Sequence, residues 1–122
     1  RSVRGAAHHN ASIAERALDE HDNARAERFF RRAALLDPTN AQAAAGLGRA
    51  LGLIGDKRSA VAWANRARQL APEDAAVHVL VADVYAHAGN KTRAEQLWRE
   101  ALRLDPNNVA AQSRIRRLAS GE

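Results

Sequence analysis

The sequence has no cysteine and no methionine, only three prolines, and aromatic residues at 4 % of its 122 positions. Without cysteine there are no disulfides, no thiolate metal ligands and no cysteine nucleophile. The lack does not reveal a compartment, and the cytoplasm is preferred to the periplasm only as an expectation. No apolar run approaches the roughly 18–20 residues that span a bilayer, so a soluble segment is expected. A chain that starts at Arg1 and has no methionine is expected to be a processed product or a piece of a longer polypeptide. Few aromatics mean that the core must be thin. Much of the 46 % hydrophobic content is alanine, a strong helix former that lets backbones approach closely.

The three prolines carry the organisation. They stand at 38, 72 and 106, a constant step of 34. Proline ends a helix by removing an N–H and by biasing the residue before it away from helical angles. Three stops at one period therefore mark three copies of one unit. Other landmarks keep the step. His21, Gly55 and Gly89 each precede a helix-capping residue, Asp22, Asp56 and Asn90, and Asn40, Asp74 and Asn108 follow the prolines by two. Each unit reads as helix, turn, helix, proline stop. Helices are expected over 7–20, 23–36, 41–54, 57–70, 75–88, 91–104 and 109–119. Small residues recur in phase where paired helices would cross: Ala14, Gly48 and Ala82, then Ala26, Ala60 and Ala94. His21 takes a place that favours glycine, which predicts strain there.

This pattern resembles the tetratricopeptide repeat family, on three sets of residues in fixed register. The third unit carries His78, Val81-Ala82, Tyr85, Ala94, Trp98 and Pro106; the second Ala44, Leu47-Gly48, Leu51, Ala60, Ala64 and Pro72; the first Asn10, Ile13-Ala14, Ala17, Ala26, Phe30 and Pro38. Asn10, Ala44 and His78 depart from the usual bulky apolar residue, and Ala64 from the usual aromatic, whose volume neighbouring Trp63 is expected to supply. The resemblance implies an all-α, right-handed α-solenoid of three helix-turn-helix repeats at 7–40, 41–74 and 75–108. An N-terminal linker (1–6) would precede them. A capping helix and tail (109–122) would follow, docked through Val109, Ile115 and Leu118.

No catalytic constellation, metal site or cofactor site is read from the sequence. Asp83 and His87 lie four apart on one helical face, which reads as a surface hydrogen bond rather than an acid–base pair. The resemblance instead implies a protein–protein interaction module whose first helices line a concave groove that holds a peptide or helix of a partner. On that face the sequence places His8, Ser12, Glu15 and Asp19 of the first unit, and Gln42, Gly46, Arg49 and Leu53 of the second. The third unit adds Val79, Leu80, Asp83 and His87, and the cap adds Arg114 and Arg117. The partner would bring apolar anchors flanked by charges of both signs. Family members that bind C-terminal carboxylates use Lys, Asn and Arg at places occupied here by Ala11, Glu15, Gly46, Ala76 and Leu80, so that mode is not expected.

The net charge of +5 rests on seventeen arginines and two lysines, a bias that points to a GC-rich, bacterial genome. Many arginines fall on second helices, which keeps open an electrostatic surface for nucleic acid or an anionic surface on the convex side. Interrupting glutamates and the lack of exposed aromatics for base stacking make nucleic acid the disfavoured partner. Self-association is a further alternative.

Overall fold

The computed structural model describes residues 2–121 and contains seven helices and no strand among them. They are α1 (Val3–Asp19), α2 (Asn23–Leu36), α3 (Ala41–Ile54), α4 (Lys57–Leu70), α5 (Ala75–His87), α6 (Lys91–Leu104) and α7 (Val109–Ala119). Each of the six expected caps accepts a backbone N–H three residues on. Asp22 takes that of Arg25 at 3.1 Å and Asn40 that of Ala43 at 3.0 Å; Asp56, Asp74, Asn90 and Asn108 repeat the contact at 2.9 to 3.2 Å. At the turns within the hairpins, the N–H of Asp22, Asp56 and Asn90 reaches back to the carbonyls of Ala17, Leu51 and Tyr85. That closure requires a left-handed residue between. Gly55 and Gly89 supply it at φ 109° and 95°, and His21 is forced to φ 59°.

Helix α1 begins a turn earlier than expected. Ser2 caps it by accepting the Gly5 N–H at 2.9 Å, so residues 3–6 are helical instead of forming a linker. The cap lies outside the repeat and so has no counterpart at the 34-residue step. Arg1 of the expected linker and Glu122 of the expected tail lie outside the described residues.

Alanine-rich crossings hold each pair together. Ala14, Ala26, Ala60, Ala82 and Ala94 are fully buried. A Cβ at Gly48 would come within 2.9 Å of the Ala60 carbonyl oxygen, so α3 and α4 approach closest. Trp63, half-buried, packs both on the main core that includes Ala64 and on a smaller cluster of Ala33 and Ala34 from the preceding unit with Ala43 of its own, while Ala64 lies beside Gly48. His78 is buried, its Nδ1–H donating to the Asp74 carbonyl at 3.0 Å.

Hairpins stack through α2 on α3 and α4 on α5. In addition α3 packs on α5 and α1 on α3, whereas successive second helices hardly touch. Neighbouring units therefore converge on their first-helix side, and the stack curves around it. Helix α7 packs on α6 through Ala111, Ile115 and Leu118. Val109, the first residue of α7, is 71 % exposed and does not dock.

Candidate interaction surface on the first helices

Two adjoining concavities run along the first helices. One, of about 360 Å³, is lined by Glu15, Leu18 and Asp19 of α1, Phe30 of α2, Gln42, Ala45, Gly46 and Arg49 of α3, and Leu80 of α5. The other, of about 440 Å³, is lined by Arg49 and Leu53 of α3, Val79, Leu80, Asp83 and His87 of α5, and Ala110 and Arg114 of α7, among others. Arg49 and Leu80 belong to both, so the depressions are continuous. Helical spacing explains the set, since residues three and four apart share a face.

Of the residues expected on this face, eleven line the two concavities. Ser12 lies elsewhere, in a depression at the α1 end of the stack. His8 and Arg117 are exposed and line neither concavity.

Two residues of the lining are engaged from within the fold. The Phe30 ring lies against Gly46, where a Cβ would collide. Its missing side chain is a seat for a neighbouring helix. Asp83 makes no hydrogen bond with His87. Its Oδ1 accepts from Trp98 Nε1 at 3.0 Å and from Arg114 Nε at 3.1 Å, and its Oδ2 accepts from Arg114 Nη2 at 3.0 Å. The carboxylate thus ties α5 to α6 and α7 and neutralises Arg114. His87 instead leans over Gly52, where a Cβ would meet its ring at 3.4 Å.

What remains free is simpler than the sequence suggested. Arg49, Glu15 and Asp19 are exposed and make no ion pair among the described residues. Between Arg49 and α7 the floor is apolar: Leu53 is 40 % exposed, Leu80 half-buried and Val79 buried. Among the described residues, no three His, Asp or Glu side chains cluster as metal ligands. No helix among the described residues is long and apolar enough to cross a membrane. On the second helices three of the ten arginines form ion pairs among the described residues, Arg31 with Glu27, Arg99 with Glu95 and Arg103 with Glu100. The last pair, bonded through the Arg103 guanidinium, holds the Glu100 carboxyl below the usual carboxylate range.

A tetratricopeptide-repeat family model matches residues 17–84 and a second matches 75–108. No curated protein sequence matches the chain. Solved structures do. The first tetratricopeptide domain of Spaghetti (RPAP3), bound to an HSP90 peptide, superposes with a TM-score of 0.80 at 15 % identity over 97 % of this chain and 94 % of that one. The tetratricopeptide domain of Arabidopsis OM64 gives 0.81 at 17 % identity over 99 % and 100 %. The Yersinia enterocolitica type III secretion translocator chaperone SycD gives 0.76 at 17 % over 95 % and 88 %. At these identities the likeness is one of fold, a helical-repeat solenoid. With three units in register and a family model spanning more than half the residues, the chain belongs to the tetratricopeptide-repeat family.

Proposed function

We propose that this protein holds a peptide or helical segment of a partner protein along its first helices, as an adaptor or scaffold segment of a larger bacterial protein. The observation that carries the reading is the continuous depression through Arg49 and Leu80, with unpaired charges at its rim and a floor of exposed Leu53, half-buried Leu80 and buried Val79. Fully apolar or fully charged surfaces bind with less selectivity than such a mixture. The chemistry sets an orientation. An apolar anchor sits over Leu53, Val79 and Leu80, an acidic group meets Arg49, and a basic group meets Glu15 and Asp19. Asp83 contributes less, because its carboxylate already accepts three hydrogen bonds and neutralises Arg114. The neighbours whose names record a bound peptide or a chaperone role support the same class of function.

The test is a selection of displayed peptides against the intact chain, with calorimetry on the winners. Recovered peptides carry an aliphatic or aromatic anchor beside an acidic residue, and Arg49→Glu or Leu80→Asp weakens them by about tenfold or more. Unchanged affinity in both variants overturns the reading.

A further inference from the structure

The side of α1 and α2 that faces away from α3 carries a second surface. In the second unit the corresponding side of α3 and α4 receives helix α2: Phe30 lies on Gly46, and Trp63 reaches Ala33 and Ala34. Subtracting one 34-residue step converts Ala43, Gly46, Leu47 and Ala50 into His9, Ser12, Ile13 and Arg16, and Trp63 into Phe29. Those four α1 residues, with Glu20 and Arg25, line a concavity of about 300 Å³. It is the counterpart of the seat that Phe30 fills on α3, and no helix among the described residues occupies it.

Its chemistry differs from its interior counterparts. Ala43 and Val77 are buried at the position of His9, and Ala50 and Val84 at that of Arg16, yet His9 and Arg16 are exposed. The Arg25 and Arg32 guanidinium groups lie over the Phe29 ring at 4.9 and 4.7 Å from its centroid. None of Arg16, Arg25 and Arg32 forms an ion pair among the described residues, and Glu20 is the only acid lining the concavity. On α6, Arg99 and Arg103 are matched to glutamates and Arg93 donates to Gln96. A merely solvated end needs no such excess of one sign.

We propose that this end face seats an acidic amphipathic helix of a partner protein. A large apolar side chain would enter over Ser12 and Ile13, as Phe30 does on Gly46, and carboxylates would meet Arg16, Arg25 and Arg32. The shape is that of a helix seat, and the charge calls for an acidic occupant. Two other occupants fit less well. The Phe29 ring is taken up by two guanidinium groups and the core beneath, leaving no open face for a nucleic-acid base. A second copy stacked end to end would bring these arginines against the exposed Arg116 and Arg117 of α7.

The probe is a synthetic helix bearing one phenylalanine with glutamates three and four residues to either side, and a counterpart with lysine at those places. Both are titrated against the intact chain by fluorescence anisotropy at two salt concentrations. The glutamate helix binds, more weakly at high salt, and the lysine helix does not. Arg16→Glu with Arg25→Glu, or Ser12→Trp filling the concavity, lowers affinity by about tenfold or more, with circular dichroism unchanged. Arg49→Glu, in the first-helix groove, leaves it unaltered, which separates this surface from that one. The proposal is overturned if the two helices bind alike, if the end-face variants have no effect, or if Arg49→Glu abolishes binding. It is equally overturned if the end-face variants instead remove binding of a single-stranded oligonucleotide or anionic vesicles, or dissolve a dimer seen by sedimentation.

Discussion

His21 sits at φ 59° in a turn where the other two units use glycine. A left-handed conformation costs a residue with a Cβ about 1–2 kcal/mol, partly offset by the smaller entropy it loses on folding. His21→Gly is therefore expected to stabilise the protein by about 0.5–1 kcal/mol in denaturant unfolding. Gly48 gives the opposite case. Alanine is the better helix former by about 1 kcal/mol, but here its Cβ would press on the Ala60 carbonyl oxygen and on the Ala64 backbone nitrogen, 2.9 and 3.2 Å away. Gly48→Ala is expected to destabilise by about 1–3 kcal/mol, although Ala14 and Ala82 occupy the equivalent places in the other units. His21 was legible in the sequence because a turn residue depends on its immediate neighbours. The filling of Gly46 by Phe30 was not, because it depends on how far one helix slides over the next, which no local pattern encodes.

At the scale of the helix, starts and stops follow from capping residues and prolines, so six helices begin where their caps predicted. The first helix starts early because Ser2 acts outside the repeat. Connections between units were harder to foresee. Asp83 meets Trp98 fifteen residues on and Arg114 thirty-one residues on, a contact set by tertiary packing that four-residue spacing with His87 could not reveal. Tyr85 donates to Asn65 at 2.7 Å, tying α5 to α4 in the same way. Removing the Asp83 carboxylate leaves a largely buried indole N–H and a guanidinium without their partner. Asp83→Ala is expected to cost about 2 kcal/mol and to loosen α7 first, seen as faster amide exchange at 109–119 than in α3. Asp83→Asn, which still accepts from the indole, is expected to lose about half as much.

Across the whole molecule, curvature toward the first helices separates two surfaces that the sequence alone had merged into one. Ser12 faces the end of the stack, whereas Glu15 and Asp19 face the groove. The end is basic and the groove has both signs, so ionic strength is expected to act on them unequally. Raising salt from low to physiological levels should weaken an acidic helix at the end face more than a peptide anchored over Leu53 and Leu80. The central claim, that the first-helix side is the working surface, is tested most directly by methyl-resolved NMR titration of a selected peptide. The account predicts shifts at Leu53, Val79 and Leu80, with Leu35 and Leu36 on α2 unmoved. Shifts confined to Leu35 and Leu36, with the three groove residues silent, would contradict it.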